Sequence, residues 1–322
     1  MKTPIEISGV GLYLPKKVLS NAELSTRVDT SDEWIVERVG IKARHVAHEE
    51  ETNLFMSHQA GQMALERANL KAADLDLIIV ATATPDRFMP SVACQLAANL
   101  GASCAAFDIN AACSGFVYAM HIAKQFFDAG TAKNILIVGS ELMSRIMDWS
   151  DRRTCVLFGD GAGAVILSQG TQSNFIASEI FADGRYADLL NTTAHFRVDP
   201  FEGEMQSPKL TMEGNKVFRF AVETLEHLVE HMLVQNQLDK TDIDWLVPHQ
   251  ANARIITATA KKLDLPMDKV IVTLTTQGNT TAASIPLALA TGVLDGRIKR
   301  GNLLLLEAFG AGFVWGANLI RY

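Results

Sequence analysis

One cysteine of this chain stands in a setting that suits a nucleophile. Cys113 lies in the run 110–116 (NAACSGF), which follows an apolar, strand-like stretch and leads into a helix-like one. At the start of a helix, free backbone N–H groups and the helix dipole stabilise a thiolate and lower the pKa of its thiol. Small neighbours would let a substrate carbonyl reach the sulfur. The alternative is a packed core cysteine, the commoner fate of this residue type.

Two polar residues of the second half could act with this thiol. His249 directly follows the strand-like run 245–247, at the end of a strand where open α/β sheets place their sites. A histidine there can donate a hydrogen bond or shuttle a proton. Asn279 lies in a second strand-to-helix turn, where a cap or turn role would suffice for it alone. Together with Cys113, the pair indicates acyl chemistry with stabilisation of a developing negative charge.

The elements that must position these residues are repeated along the chain. The run 74–80 (DLDLIIV) resembles 242–248 (DIDWLVP), and 134–139 (NILIVG) resembles 302–307 (NLLLLE). In both pairs the second run starts 168 residues after the first, since 242 follows 74 and 302 follows 134 by the same interval. A shared offset favours duplication over chance similarity of apolar strands. It also brings Asn279 to a turn nearly equivalent to that of Cys113.

Hydrophobic patterning predicts strands that alternate with helices, and therefore an α/β protein with parallel or mixed sheets covered by helices. Two halves are expected, 1–172 and 173–322. The segment 191–209 has no strong periodicity, and we expect a surface lid or a partner contact there. Buried strands are predicted at 77–83, 134–138 and 303–306, and helices at 57–67, 94–100, 116–127, 218–233, 251–263 and 282–294.

Composition sets the class of the protein. The chain has 322 residues, of which 48% are hydrophobic and 20% charged, which indicates a globular protein with two cores or one duplicated unit. A net charge of -7 offers no global field for nucleic acid or an anionic membrane. The four cysteines form no Cys-x-x-Cys pair, and neither a signal peptide nor an apolar run of membrane-spanning length is present. We therefore expect a cytoplasmic protein.

Four ordered motifs resemble the 3-oxoacyl-[acyl-carrier-protein] synthase III family, the condensing enzymes of the thiolase fold that start fatty-acid elongation. They are NAACSGF at 110–116, VPHQAN at 247–252, GNT at 278–280 and EAFGAGF at 307–313. The resemblance covers essentially the whole chain and implies a thiolase-like, five-layered αβαβα fold built from two duplicated halves.

The same resemblance implies catalytic roles. Cys113 would accept the acyl group, and His249 with Asn279 would stabilise the enolate as two neutral or cationic N–H donors. The backbone N–H groups of Cys113 and Ala311 would form a second oxyanion site, although Ala311 stands where glycine is usual and Gln277 where an aromatic residue or histidine is common.

Binding residues are likewise implied by the resemblance rather than by spacing. From the residues alone, Trp34 would be a structural aromatic, and the basic residues a solvated helix face. Met89 stands where a residue of the partner subunit often closes the acyl pocket, which implies a homodimer. The implied sites are Thr30, Trp34, Arg38, Arg152, Asn215, Phe218 and Asn252 for coenzyme A, Arg219, Arg254, Lys261 and Lys262 for acyl carrier protein, and Met89 and Phe309 for the acyl chain.

The expected reaction is acylation of Cys113 by an acyl-CoA, with acetyl-CoA as primer, followed by decarboxylative condensation with malonyl-acyl carrier protein. The thioester is a substrate, and neither a cofactor nor a metal is expected. A relative that joins an acyl-CoA-derived group to another acceptor in secondary metabolism remains open, as does the primer length. A degradative thiolase would need a second, late cysteine, but none follows Cys155. An elongating synthase would have histidine in place of Asn279, and a non-catalytic scaffold would need none of the three residues.

Overall fold

The computed structural model describes residues 3–172, 174–193 and 207–322. The central part of the expected lid, 194–206, lies outside the described residues. Its flanks pair as a short antiparallel ribbon, in which Leu210 lies opposite Thr192.

The helices and strands lie close to the positions predicted from the sequence. The strands predicted at 134–138 and 303–306 each extend four residues further, to Leu142 and Gly310. The helix predicted from 57 begins at Asn53, because the hydroxyl of Thr52 caps it by accepting a hydrogen bond from the Phe55 amide at 3.1 Å. The strands are β1 (Ile5–Tyr13), β2 (Lys17–Ser20), β3 (Ala43–Val46), β4 (Leu77–Ala81), β5 (Ala105–Ile109), β6 (Asn134–Leu142), β7 (Asp160–Gln169), β8 (Phe175–Ala182), β9 (Leu190–Thr192), β10 (Leu210–Met212), β11 (Trp245–Pro248), β12 (Leu303–Gly310) and β13 (Val314–Arg321). The helices are α1 (Asn21–Leu24), α2 (Asp32–Val39), α3 (Asn53–Ala68), α4 (Val92–Leu100), α5 (Gly115–Asp128), α6 (Gly214–Gln235), α7 (Ala253–Lys262), α8 (Leu274–Gln277) and α9 (Ser284–Leu294).

Two mixed sheets repeat one strand plan. The first has the order β1-β7-β6-β4-β5 and the second β8-β13-β12-β11. In each, one parallel pair (β4 with β6, β11 with β12) is followed by two antiparallel pairs. A single parallel bridge between Leu246 and Val270 stands where the first sheet has β5. The repeated order confirms the duplicated α/β fold that the offset predicted.

Helices α5 and α9 form the middle layer of the protein. Helix α5 packs on β4 and β6 of the first sheet and on β8, β12 and β13 of the second, and α9 packs on β1, β6, β7 and β11. Because both sheets cover them, these helices are apolar on nearly all sides, and Ile285, Leu287 and Leu289 are at most 1% exposed. Much of the hydrophobic content of the chain serves this layer.

The outer layers use amphipathic helices. Helices α3 and α4 cover the outer face of the first sheet, and α6 and α7 pack together with α6 on β12 and β13 of the second. Their outer faces carry the charged residues, whereas α5 and α9 each begin after a short turn (Ala112–Ser114 and Thr281–Ala283) that points into the molecule. The resulting order is helix, sheet, helix, sheet, helix, the five-layered thiolase-like fold.

Candidate active site

The three residues singled out from the sequence line one cavity. Its volume is about 1060 Å³, and Cys113, His249 and Asn279 all contribute to its wall. All three are largely buried, with exposures of 7%, 5% and 6%. They come from three separate turns, since Cys113 precedes α5, His249 follows β11 and Asn279 precedes α9. The predicted strand before Asn279 is wrong, because residues 274–277 form the short helix α8.

The turns that carry Cys113 and Asn279 are copies of each other. The side-chain oxygen of Asn110 accepts a hydrogen bond from the Ala112 amide at 3.1 Å, and that of Asn279 accepts one from the Thr281 amide at 2.9 Å. Ala112 and Thr281 both have positive φ, 44° and 47°. The structural counterpart of Asn279 is therefore Asn110. Because its oxygen is used within the turn, Asn279 presents its Nδ2 amide hydrogens as donors to the cavity.

Asn279 is fixed by the other half of the chain. Its amide donates to the carbonyl of Leu157 at 2.8 Å, and its own carbonyl accepts from the Gly159 amide at 3.0 Å. Residues 157–159 belong to the glycine-rich run that opens β7. Neither half could therefore hold the pair of Cys113 and Asn279 by itself.

A glycine lets the last turn of the site approach the nucleophile. A Cβ on Gly310 would lie 2.8 Å from the backbone nitrogen of Cys113, a distance that real side chains do not tolerate. In the described residues, the non-glycine positions with positive φ do not include Ala311, whereas Gly312 has φ 141°. Alanine at 311 therefore costs no backbone strain, and the conformation that favours glycine falls on the next residue.

His249 is a neutral imidazole. Burial lowers its pKa to about 3, which favours a ring with one proton over the cationic ring at neutral pH. Its backbone amide donates to the Glu307 carbonyl at 2.8 Å, and its Nδ1 lies 2.6 Å from the hydroxyl of Ser284. These two contacts connect His249, at the end of β11, to β12 through its backbone and to α9 through its ring.

The expectation of a lowered thiol pKa is wrong for the free protein. Burial raises the pKa of Cys113 to about 12, and the nearby carboxylate of Glu141 adds to the rise, while the Cys113 amide opposes it. The loss of hydration and the buried negative charge outweigh the start of the helix. The sulfur is thus a thiol at neutral pH, and its proton must leave during acyl transfer.

The buried Glu141 was missed by the reading of the sequence. It lies in β6, is fully buried, and accepts hydrogen bonds from the Ala83 amide at 3.2 Å and from the hydroxyls of Thr82 and Thr84. Burial is the main reason that its pKa is raised to about 7. An acidic residue at the end of an otherwise apolar strand run was the available signal.

Trp34, Arg38 and Arg152, which were expected to bind coenzyme A, lie together at the cavity. The guanidinium carbon of Arg38 lies 4.7 Å from the ring centroid of Trp34, and that of Arg152 lies 5.3 Å from it. Arg152 also pairs with Asp29 at 3.1 Å. Asn215, Phe218 and Asn252 line the same cavity, whereas Thr30 does not.

The four basic residues lie on two helices, Arg219 on α6 and the other three on α7. Arg254 lines the cavity and donates to the Glu37 carbonyl at 3.1 Å, while Arg219 borders a second depression beside Phe218. Lys261 and Lys262 close the last turn of α7, and Lys262 pairs with Glu230 at 3.0 Å.

Of the two acyl-chain residues, the cavity contains one. Phe309 lines it, whereas Met89 lies outside it and is 83% exposed. The cavity wall also contains apolar residues that no motif indicated, because they come from distant segments: Met143, Ile146, Val156, Leu157, Leu190, Leu210 and Leu225.

The described ranges offer neither a cluster of metal ligands nor a helix suited to a membrane. In 3–172, 174–193 and 207–322, no group of three or more histidine, cysteine or acidic side chains could hold a metal ion. Within the same ranges, no helix has the length and apolar content needed to cross a membrane.

Comparison with known proteins gives one family. The model of "3-Oxoacyl-[acyl-carrier-protein (ACP)] synthase III" matches residues 107–184, and that of the family's C-terminal part matches residues 233–322. The chain is 54% identical over 320 residues to the beta-ketoacyl-[acyl-carrier-protein] synthase III of Methylococcus capsulatus, with 98% of each chain covered.

Solved structures agree. The 3-oxoacyl-[acyl-carrier-protein] synthase III of Aquifex aeolicus is 45% identical with a TM-score of 0.92, over 99% of this chain and 100% of that one. The priming beta-ketosynthase of the R1128 polyketide biosynthetic pathway is 34% identical with a TM-score of 0.94, over 99% of this chain and 96% of that one.

Proposed function

Because the chain belongs to the 3-oxoacyl-[acyl-carrier-protein] synthase III family, we propose that it catalyses the initiating condensation of fatty-acid synthesis. An acyl group passes from acyl-CoA to Cys113. The acyl-enzyme then condenses with malonyl-acyl carrier protein to give β-ketoacyl-acyl carrier protein and carbon dioxide. The single observation that carries this proposal is the meeting of Cys113, His249 and Asn279 at one cavity wall.

In the first half-reaction the Cys113 sulfur attacks the thioester carbonyl. The carbon–sulfur bond to coenzyme A breaks, and the proton of the Cys113 thiol ends on the leaving coenzyme A. Negative charge builds on the carbonyl oxygen, and the backbone N–H groups of Cys113 and Ala311 are the proposed donors to it. The close approach of Gly310 to the Cys113 amide supports this assignment.

In the second half-reaction malonyl thioester loses carbon dioxide. The electron pair of the broken carbon–carbon bond becomes an enolate, whose oxygen takes the negative charge. The neutral His249 ring and the Asn279 amide are the proposed donors, because both face the cavity and neither brings a charge that must be desolvated. The enolate carbon then attacks the acyl carbonyl on Cys113, and the bond from this carbonyl to the sulfur breaks. The Cys113 sulfur leaves as a thiolate and takes one proton from water to return to the thiol.

The cavity mouth is the proposed coenzyme A site. The Trp34 ring, with the guanidinium groups of Arg38 and Arg152 close to it, offers an aromatic and cationic surface for adenine. Further proposed contacts in the cavity wall are Asn215, Phe218 and Asn252 for coenzyme A and Phe309 for the acyl chain. Thr30, which is outside that wall, is the remaining proposed contact for coenzyme A. Coenzyme A thioester is a substrate in this scheme, which requires no cofactor.

The proposed protein partners, acyl carrier protein and a second copy of this chain, are inferred from exposed side chains. The basic residues Arg219, Arg254, Lys261 and Lys262 are the proposed contact for the acidic acyl carrier protein. The exposed Met89 is proposed to enter the cavity of a second copy in a homodimer, with acetyl as the expected primer. We place the enzyme in the cytoplasm and the boundary of its halves between 172 and 173, within the link that joins β7 to β8.

Cys113→Ala tests the core of this proposal. We expect that incubation with acetyl-CoA adds one acetyl mass to wild type but none to the variant, and that only wild type then forms the β-ketoacyl product from malonyl-acyl carrier protein. Cys94→Ala, which removes an exposed thiol on α4, is the matched control. Condensation by Cys113→Ala would refute the assignment of the nucleophile.

A priming role in secondary metabolism is the second candidate, favoured by the similarity to the polyketide priming enzyme. A panel of acyl-CoA primers separates the two. Preference for acetyl-CoA with malonyl-acyl carrier protein supports fatty-acid initiation, whereas preference for another acceptor over malonyl-acyl carrier protein supports the alternative.

Reversal of charge tests the carrier-protein contact. Arg254→Glu with Lys261→Glu should raise the KM for malonyl-acyl carrier protein at least about tenfold, since opposed charges steer association. Acylation by acyl-CoA should change much less. Lys299→Glu, in the loop before β12, is the control, and an unchanged KM in the double variant would discard the patch.

A further inference from the structure

The hydroxyl of Ser284 contacts the histidine of the site on the side away from the substrate. Ser284 is the first residue of α9 and is 0% exposed. Its Oγ lies 2.6 Å from Nδ1 of His249 and also accepts a hydrogen bond from the Gln250 amide at 3.3 Å. Nothing in the sequence motifs assigned a role to this serine.

The donors and acceptors around Ser284 determine the direction of its hydrogen bond with His249. A backbone amide can only donate, so Gln250 occupies one lone pair of the Ser284 oxygen. The hydroxyl hydrogen needs an acceptor, and among the described residues the one hydrogen-bonded to Ser284 that can accept is Nδ1 of His249. A buried hydroxyl without an acceptor costs on the order of 1–3 kcal/mol. The hydroxyl therefore donates to Nδ1, and the single ring proton of His249 is on Nε2.

The rest of the histidine environment fits this tautomer. No hydrogen bond in the described part of the chain engages Nε2, and the ring lines the cavity. Gln250 is held in place by four hydrogen bonds of its side chain. This side chain donates to the carbonyls of Pro248 and Ile271 and accepts from the amides of Thr273 and Leu274. The serine oxygen is thus held between two anchored groups.

We propose that Ser284 is a positioning residue that holds His249 in the Nε2–H tautomer with this N–H directed at the substrate. This inference rests on the proposed function, and it adds the device that makes the histidine a donor. If the proton were on Nδ1, Nε2 would present a lone pair to the cavity, and this lone pair would repel the enolate oxygen. Ser284 acts on decarboxylation through His249 and does not touch the substrate.

The first test is Ser284→Ala. Loss of an oxyanion donor costs about 100- to 1,000-fold in kcat, and the variant should lose a part of that, about 10- to 100-fold, since the correct tautomer stays partly populated. The KM for malonyl-acyl carrier protein and the rate of acetyl transfer to Cys113 should stay within about threefold, because neither needs this proton. Ser284→Thr keeps the hydroxyl and should recover most of kcat.

Ser57→Ala is the matched control. Ser57 is also a buried helical serine, 0% exposed, whose hydroxyl donates to Asn53 at 3.2 Å, but it lies in α3 away from the cavity. It should leave both half-reactions unchanged. If Ser284→Ala slows acyl transfer as much as decarboxylation, the serine is merely structural and the proposal fails.

A direct measurement on wild type needs no variant of Ser284. In protein labelled with nitrogen-15 histidine, the signals lost in His249→Asn identify this ring. We expect a pyridine-type shift for Nδ1 and a pyrrole-type shift for Nε2; the reverse would overturn the proposal. If wild type fails to condense acetyl-CoA with malonyl-acyl carrier protein, the proposed function fails instead, while the nitrogen shifts still decide the tautomer.

Discussion

The buried carboxylate behind the nucleophile should suppress its reactivity. Glu141 is the second cause, after burial, of the rise in the pKa of Cys113 to about 12. Glu141→Gln removes that negative charge but keeps an acceptor for the Ala83 amide and a group that the hydroxyls of Thr82 and Thr84 can bond. We therefore expect the thiol pKa to fall while the fold survives.

The magnitude follows from the share of the shift that the carboxylate holds. Since burial contributes more than Glu141 to a rise from 9.0 to about 12, the substitution should lower the thiol pKa by on the order of one unit. A pKa lower by one unit gives about ten times more thiolate at a given pH. Each thiolate of the more acidic thiol is less nucleophilic, which lowers its reactivity by roughly a factor of three. The net gain in thiolate chemistry is about three- to fourfold.

The assay is modification of Cys113 by methyl methanethiosulfonate, a small neutral reagent, followed by peptide mass. The exposed Cys94 serves as internal reference. At about pH 9, well above the Glu141 pKa of about 7, the variant should react about three- to fourfold faster than wild type. At about pH 6 Glu141 is protonated and as neutral as glutamine, so the two rates should converge.

A control and a refuting result complete the test. Glu51→Gln removes another buried carboxylate, one bonded to Tyr13 and not among the causes of the Cys113 shift, and should leave the rate of Cys113 unchanged. Equal rates for Glu141→Gln and wild type at about pH 9 would refute the electrostatic reasoning. A gain that persists undiminished at about pH 6 would show that the substitution opens the site rather than removing a charge.

Two further outcomes follow from the same geometry. Gly310→Ala places a methyl group 2.8 Å from the Cys113 amide and should reduce the rate of acetyl transfer by at least about 100-fold, the cost of a displaced oxyanion donor. Gly184→Ala, at an exposed position with nothing within 4 Å of the added methyl, should not reduce it. Acyl-enzyme formation followed by mass measures both, and near-normal acylation of Gly310→Ala would contradict the close approach. Burial raises the pKa of Glu307 to about 8 from 4.5, so its share of the free energy of unfolding is fully present below about pH 4.5 and is lost as pH rises through about 8. Wild type should accordingly lose about 1.4 kcal/mol per pH unit more than Glu307→Gln between about pH 6.5 and 8, measured by urea unfolding, and parallel curves would exclude the shift.

Local residue patterns determined much of the secondary structure of this protein, its internal duplication and its family. The buried runs of β4, β6 and β12 and the apolar helices α5 and α9 are visible in the sequence because strand and helix periodicity depend on near neighbours. The constant offset predicted the duplication, and the ordered motifs predicted the family. Cys113, His249 and Asn279 stand out in the sequence as candidate site residues, because each follows a strand-like run.

Other properties depend on contacts between residues far apart in the chain. Asn279 is held by 157–159, and His249 takes its proton arrangement from Ser284, 35 positions away. The helix start before α5 predicted an acidic Cys113 thiol, but burial and Glu141 raise its pKa instead. Desolvation and buried charge are set by everything packed around a group, so only the tertiary structure decides them. The sequence by itself therefore determined which residues are the candidates for the chemistry, and the fold decided their protonation.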